Sequence, residues 1–331
     1  MKHSNISFFI PHNGCPHQCS FCNQKAITGQ AYQPTADDVR QTLTKAASDL
    51  GPRAKNAEIA FFGGSFTAID REYMLCLLNA AKEFEDVFAG IRVSTRPDCI
   101  NGEILDILDA FHVTAIELGA QSMCEEVLLL NERGHTAKDV VNASQLIRER
   151  GISLGLQMMT GLYGSDAAKD SMTAERFIAL RPDTVRIYPT VVMKNTTLER
   201  YYLNGEYRLL DLEESVALCA ALIRMFEAER IPVIRLGLHY SDSLKENGYC
   251  GNYHPAFKEL CESKLLYDSF LEKSREFDTK KLTVFLNPGS LSKFYGQKKC
   301  NRTKLTGMGY DLQVGFDDTL GKYEMRIEVS A

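Results

Sequence analysis

Cys15-Pro-His-Gln-Cys19-Ser-Phe-Cys22 places three thiols within eight residues. That is the spacing of a metal site. An iron–sulfur cube takes four thiolates, and no fourth cysteine lies near these three. A cube held by Cys15, Cys19 and Cys22 would keep one iron open, much as a catalytic zinc keeps an open position, and that iron could bind a substrate or cofactor directly. Two other chemistries use the same residues. A structural zinc could take His17 as fourth ligand, although a histidine between Cys15 and Cys19 is cramped for closing one tetrahedron. A redox pair of Cys19 and Cys22 is the other, and it leaves Cys15 without a role. The remaining seven cysteines are scattered, and most sit in apolar periodic segments as small core residues. Among them Cys250 and His254, with Cys261, form a zinc-like pattern that lacks a clear fourth ligand.

The chain that must position these thiols alternates strand-like and helix-like segments. Ile6–His12 is a short apolar run ending in the cysteine loop. Strand patterns follow at Ala57–Phe62, Ile91–Ser94, Thr114–Leu118, Ser153–Thr160 and Thr184–Val192. Helical patterns lie at Thr35–Leu50, Glu72–Phe88, Glu103–Phe111, Thr136–Arg150, Ala167–Leu180 and Leu212–Arg230. Thr35-x-x-Asp reads as a capping box, and Gly151 as a helix stop. Six βα units predict a parallel sheet with outer helices, and Pro232–Leu238 offers a seventh strand. No dinucleotide fingerprint follows the first strand, which favours a partial barrel over a doubly wound sheet. The cysteine loop, Gly63-Gly64, Thr95-Arg-Pro-Asp98, Gly119-Ala-Gln-Ser122 and Thr160-Gly161 all fall where a strand ends. In a barrel those ends share the face that carries the active site.

Composition bounds the rest. The chain has 331 residues, 44% hydrophobic and 24% charged, which excludes wholesale disorder, collagen-like repeats and coiled coil. No apolar run approaches the roughly 18 residues of a membrane span. The apolar patch Ile6–Ile10 is too short for a signal-peptide core, so a cytoplasmic protein with reduced thiols is expected. Net charge is −5, so no global basic field invites a polyanion. After about Tyr240 the βα rhythm stops. Lys280–Lys304 carries seven basic residues and no acidic one, either a solvated face or a phosphate contact.

Cys-x3-Cys-x2-Cys after a first strand, with Phe21 before the third cysteine, resembles the radical S-adenosylmethionine enzymes. Further residues agree in order. Gly63-Gly64-Ser65-Phe66 matches the motif whose backbone receives the cofactor's amino group in that family. Ser94 and Arg96, Glu117 and Gln121, and Gln157 and Met159 fall on strands three, four and five, where the family contacts the cofactor. Arg133 and His135, in the loop after strand four, could meet the cofactor carboxylate or an anionic substrate, and Tyr188 on strand six either lines the pocket or joins the core. The resemblance implies an α/β fold: a partial (β/α)6 TIM-like barrel of the radical SAM type over residues 1–240, with a small α+β appendage over 241–331. It implies a [4Fe–4S] cluster on Cys15, Cys19 and Cys22, S-adenosyl-L-methionine chelating the fourth iron, and reductive cleavage to a 5′-deoxyadenosyl radical. No acid–base pair is then required, and no catalytic side chain is singled out.

From Ile6 to Tyr240 the likeness is closer to the radical domain of the Elongator catalytic subunit, which modifies wobble uridine in tRNA. It rests on Glu117–Ser122, Asn131–Thr136, Met158–Gly164, Val185–Thr190 and Thr197–Arg208. The cysteines here are more compact than in that subunit, and Ser241–Ala331 is shorter than its acetyltransferase domain, so acetyl transfer is not expected of this chain. RNA, tRNA first, is the expected partner, with a reducing donor such as flavodoxin or ferredoxin and no membrane. The compact cysteines and Gly-Ala-Gln-Ser also resemble oxygen-independent coproporphyrinogen III oxidase, which makes a small-molecule or porphyrin substrate the alternative. A non-catalytic zinc or cluster-bearing RNA-binding protein is the other. Lys281–Leu286, Leu291–Lys304 and Leu312–Phe316 read as strand, helix with a Gly296-Gln-Lys-Lys299 turn, and strand, which resembles a KH-type RNA-binding module.

Overall fold

A computed structural model of the chain describes residues 4–10, 15, 18–23, 32–238, 246–249 and 252–330. The expectations placed on His12, His17 and Cys250, and the boundary at Tyr240, lie outside those residues. The chain forms two compact units, Met1–Leu210 with Phe226–Gly251, and Asp211–Met225 with Asn252–Ala331. No helix among the described residues is long and apolar enough to cross a membrane.

The first unit is built on seven parallel strands in sequence order: β1 (Ser4–Ile10), β2 (Ala57–Gly63), β3 (Ile91–Thr95), β4 (Val113–Gln121), β5 (Ser153–Thr160), β6 (Thr184–Pro189) and, after the short β7 (Val192–Met193), β8 (Val233–Leu236). The seventh strand expected at Pro232–Leu238 is therefore present. A helix follows each early strand: α1 (Ala36–Leu50), α2 (Arg71–Lys82), α3 (Gly102–Ala110), α4 (Glu125–Leu130) with α5 (Ala137–Glu149), and α6 (Ala167–Leu180). α7 (Thr197–Leu203) and α8 (Leu212–Ala228) come after β7. β7 pairs antiparallel with β9 (Gly248–Tyr249).

Local chemistry sets these boundaries. Thr35 and Asp38 close a capping box on α1, and Thr136 and Asp139 close another on α5. Strands covered on both faces read as apolar runs, and Ala57–Phe61 is buried at every position. The guanidinium carbon of Arg186 on β6 lies 5.1 Å from the ring centroid of Phe62 on β2. Side chains four strands apart meet in that way only when the sheet curls, so the strands form a partial barrel of the α/β class.

Two expected elements differ. The helix expected over Glu72–Phe88 ends at Lys82 and gives way to turns. The strand expected over Thr184–Val192 ends at Pro189, with Thr190 still donating its backbone N–H to Thr160 O (2.9 Å), and Val192–Met193 forms the separate β7.

The second unit holds α9 (Phe257–Lys273), β10 (Lys281–Leu286), α10 (Leu291–Tyr295), α11 (Cys300–Gly307), β11 (Asp311–Phe316) and β12 (Met325–Val329). β10 is central, parallel to β11 and antiparallel to β12. Leu266, Phe270, Leu282, Val284, Leu286, Phe294, Leu305 and Met325 form its core. The helix expected over Leu291–Lys304 with a turn at Gly296–Lys299 is present as α10 and α11 on either side of that turn. Buried Glu262 receives Lys322 Nζ (2.6 Å), Lys293 Nζ (3.0 Å) and Tyr323 Oη (2.8 Å). Burial opposes its charge, but these three donors outweigh it and hold the carboxyl below its ordinary value. Of the zinc-like pattern's described members, His254 Nδ1 accepts from Ala256 N–H (3.0 Å), and Cys261 is buried beside Cys219.

Candidate active site

The cysteine loop is tied down by its neighbours. Cys22 N–H donates to Cys19 O (3.0 Å), which makes the Cys19–Cys22 stretch a turn. Ser20 inside that turn is fully buried. Its N–H donates to Asn131 O (3.1 Å), its hydroxyl to Asn131 Oδ1 (2.8 Å), and its carbonyl receives Leu198 N–H (2.8 Å). Asn131 in turn donates to Val127 O and Tyr163 O. Cys19 is buried, Cys22 half-buried and Cys15 exposed. Among the described residues no three His, Cys, Asp or Glu side chains converge as metal ligands.

Two buried arginines stand behind the loop. Arg133 Nη1 donates to Cys19 Sγ (2.9 Å) and Nη2 to Gly119 O (2.5 Å). Arg96 forks onto Asp98 (2.9 and 2.8 Å) and donates from Nη2 to Arg133 O (2.5 Å). His135 Nε2 lies 3.2 Å from Ala120 O, and burial, with the charges of Arg133 and Arg96, lowers its pKa to about 4. It is therefore neutral at pH 7. Arg96 Nη1, Arg133 Nε, His135 Nδ1 and Gln121 Oε1 are buried without a hydrogen-bond partner. Each such group costs about 1–3 kcal/mol. Four around one strand end would be completed by a polar ligand or by ordered water.

The barrel interior holds a charge lattice. Strand register sets Ser94 beside Glu117, Glu117 beside Gly155, and Gln157 beside Arg186. Glu117 is fully buried and pairs with Arg92 Nη1 (3.1 Å) and Arg186 Nε (2.6 Å), while receiving Gln157 Nε2 (2.9 Å). Glu58 takes Arg92 Nε (2.6 Å). Gly155 makes the room: a Cβ there would lie 2.8 Å from Glu117 Cγ. Tyr188, two residues beyond Arg186, joins the same layer, and its burial raises its pKa.

At the end of β5, buried Asp170 accepts Gly161 N–H (2.8 Å) and Ser165 Oγ (2.6 Å). Burial pushes its carboxyl up from 3.8 to about 6. A raised folded-state pKa favours the protonated form. Its stabilising contribution is complete below about pH 4 and lost as pH rises through about 6, roughly 3 kcal/mol over that window. Asp170→Asn is expected to flatten the dependence of urea-unfolding stability on pH between 4 and 6. An unchanged slope would show that this carboxyl does not set it.

Family comparison gives the site its context. The Radical SAM superfamily model matches residues 9–173, and a Radical SAM C-terminal domain model matches residues 182–266. The chain belongs to the radical SAM superfamily. This radical SAM protein is 31% identical over 215 residues to an uncharacterised Methanocaldococcus jannaschii protein, covering 62% of this chain and 66% of that one. It is 28% identical over 277 residues to the tRNA uridine(34) acetyltransferase of Dehalococcoides mccartyi, covering 70% of this chain and 60% of the relative. Mouse Elongator complex protein 3 matches at 28% over 284 residues, 72% of this chain and 50% of that protein. The chain thus spans two thirds or less of these relatives. Among solved structures, Methanocaldococcus infernus Elp3 superposes with a TM-score of 0.62 at 20% identity, over 82% of this chain and 63% of that one.

Radical SAM enzymes use a [4Fe–4S] cluster and S-adenosyl-L-methionine. The residues here fit both. Three soft thiolates suit iron–sulfur binding, and unpartnered buried guanidinium and amide groups suit a charged, polar cofactor. The structure brings together Cys19, Phe21, Arg96, Arg133 and the Gly119–Gln121 strand end, with Arg133 lying 5.9 Å from the Phe21 ring. It gives other expected residues structural partners. Gly63 has φ +119, and a Cβ there would lie 2.6 Å from Ile10 O, while Gly64 N–H donates to Ile10 O (2.8 Å). Ser65 Oγ lies 2.8 Å from Thr95 Oγ1, and Phe66 stacks on Phe61 in the core at 4.9 Å. Gln157 donates to Ser94 (3.2 Å), and Met159, two residues on, is half-buried. Sequence reasoning missed Glu58, Arg92 and Arg186. Their signal was a charged residue at alternate positions of otherwise apolar strands, which puts it inside the barrel.

The Arg133–Cys19 bond has a measurable consequence. A hydrogen bond from a cation to a ligand sulfur stabilises the more negative, reduced cluster. Arg133→Leu is expected to lower the midpoint potential of the reconstituted cluster, titrated without S-adenosylmethionine and followed by EPR. A difference of about 1–2 kcal/mol is roughly 40–90 mV for one electron. An unmoved potential would mean that Arg133 does not reach the bound cluster.

Proposed function

We propose that this radical SAM enzyme acts on RNA, with tRNA as the first candidate. In this reading Cys15, Cys19 and Cys22 ligate the cube. Arg96 and Arg133 face the cofactor carboxylate. The Gly63–Ser65 backbone and Phe66 border its methionine end. Ser94, Glu117, Gln121, Gln157 and Met159 border its ribose and adenine. When bound, the cluster supplies the electron that cleaves S-adenosylmethionine to methionine and a 5′-deoxyadenosyl radical, which takes a hydrogen atom from the substrate. The chain's own residues bind, orient and exclude water. Flavodoxin or ferredoxin is the class of donor that supplies the electron, in a reducing cytoplasm.

The observation that carries the RNA reading is the match to relatives named tRNA uridine(34) acetyltransferase over 61 to 70% of this chain. That likeness supports a uridine-bearing substrate and does not extend acetyl transfer to this chain. The test is anaerobic turnover on tRNA deuterated in its uridines. The expected result is deuterium in the released 5′-deoxyadenosine, dependent on the RNA. Cofactor cleavage that tRNA neither stimulates nor labels overturns the reading and favours a small-molecule substrate.

A further inference from the structure

We propose that the turn between α10 and α11 in the second unit is a separate RNA-binding site that grips phosphates through Lys298, Lys299 and Arg302. The proposal rests on the reading that the enzyme acts on RNA, and it places part of the grip away from the cysteine loop.

The clustering of unpaired cations singles out this turn. Some cations in other parts of the chain stand on carboxylates, as Arg71 does on Glu103 (2.9 Å) and Arg224 on Glu272 (2.9 Å), and exposed ones without such a partner, such as Lys45, Lys138 and Arg230, are scattered singly. Within the acid-free stretch Lys280–Lys304, Lys293 is used internally by Glu262. Lys298, Lys299, Arg302 and Lys304 are exposed and have no carboxylate partner among the described residues. Three basic side chains of this stretch lie beside tyrosine rings. Arg302 lies 5.3 Å from the Tyr295 centroid, Lys304 6.0 Å from Tyr267, and Lys280 5.6 Å from Tyr310. Cations beside aromatic faces suit a polymer that offers both phosphates and bases.

The turn is built to hold its lysines outward. Gly296 has φ +74, and a Cβ there would lie 2.7 Å from Cys300 Sγ. Buried Asn301 pins the turn from below, donating to Phe294 O (3.1 Å), Ser263 O (3.2 Å) and Ser263 Oγ (2.9 Å). Above that anchor, Lys298 and Lys299 take φ +52 and +61. The left-handed region costs an ordinary residue roughly 1–2 kcal/mol, and two adjacent lysines held there project from a fixed backbone. Fixed cations lose less entropy on meeting a phosphate than mobile ones.

The test uses the full-length reconstituted enzyme and two probes, total tRNA and oligouridine, with anisotropy read from low to high salt. Charge reversal at Lys298, Lys299 and Arg302 together is expected to weaken RNA binding at least about 10-fold. It is also expected to reduce the slope of log affinity against log salt by about 2–3, close to one for each phosphate that is no longer neutralised. RNA-independent 5′-deoxyadenosine release stays at the wild-type level. Neutralisation to Gln at the same positions gives an intermediate loss, and a thermal melt confirms the fold of each variant. If wild type binds RNA and the variants match it in affinity and slope, this site is refuted while the RNA substrate stands. If wild type shows no RNA affinity at low salt and no hydrogen transfer from tRNA, both fall. Binding to anionic phosphatidylserine vesicles in place of RNA, abolished by reversal, would also overturn the assignment.

Discussion

Reconstituted with iron and sulfide in the absence of oxygen, and given dithionite and S-adenosylmethionine, the wild-type chain is expected to release 5′-deoxyadenosine. Cys19→Ala is expected to release none above background. Changes in a metal's outer shell typically cost 10–100-fold, and removal of a ligand should exceed about 100-fold. In the proposed ligand set of Cys15, Cys19 and Cys22, loss of one thiolate leaves two ligands. Iron and sulfide content should fall with activity. Cys76→Ala, at an exposed thiol on α2, is the matched control and should behave as wild type. Wild-type release from Cys19→Ala would show that another set of residues holds the cluster. Zinc in the purified protein, with an intact cofactor after reduction, would remove the radical chemistry from this loop.

The second large effect belongs to Glu117. Its carboxylate is the node at which Arg92, Arg186 and Gln157 meet inside the barrel. Two arginines and two glutamates balance there, and removing one partner of a buried pair leaves a charge that water cannot reach. Such losses cost about 3–5 kcal/mol. Arg92 keeps Glu58 (2.6 Å), so the exposed deficit falls on Arg186. Glu117→Ala is expected to lower urea-unfolding stability by about 3–5 kcal/mol, a large part of the roughly 5–15 kcal/mol of a typical domain. Glu117→Gln, which keeps volume and two hydrogen-bonding atoms, should lose about half of that, with its oxygen still accepting from Arg186. Unfolding of Glu117→Ala within about 0.5 kcal/mol of wild type, the range of an ordinary surface change, would contradict the lattice as a stabilising element. Because the neighbouring Gln157 is also a proposed cofactor contact, cofactor affinity should weaken with it.

Much of this protein follows from local patterns. The three thiols name a metal or redox site because donor type and spacing are local properties, and the resemblance to the radical SAM enzymes implies that it is an iron–sulfur one. Alternating strands and helices name a parallel sheet, and capping boxes at Thr35 and Thr136 mark helix starts, since caps act within four residues. Where local patterns compete, the reading slips. Phe257–Lys273 buries Phe257, Cys261, Leu265 and Phe270 along one helix, but Glu262 and Ser263 are buried beside them and blur the stripe. The turn expected at Gly296 is local in the same sense as the caps, since a φ of +74 there favours a residue without a Cβ.

The sequence alone determined the family motif of the cysteine loop and the order of the strands. Tertiary structure alone decided which groups surround that loop and which fill the barrel. Arg133 meets Cys19 across 114 positions, and Arg186 meets Glu117 across 69. No period or spacing encodes a pairing that depends on how a sheet curls and on which loops share its end. The same holds for the exposed lysines of the α10–α11 turn. Their number is read from the chain, but only the fold shows that no carboxylate among the described residues comes to neutralise them, because ion pairing is settled by neighbours in space.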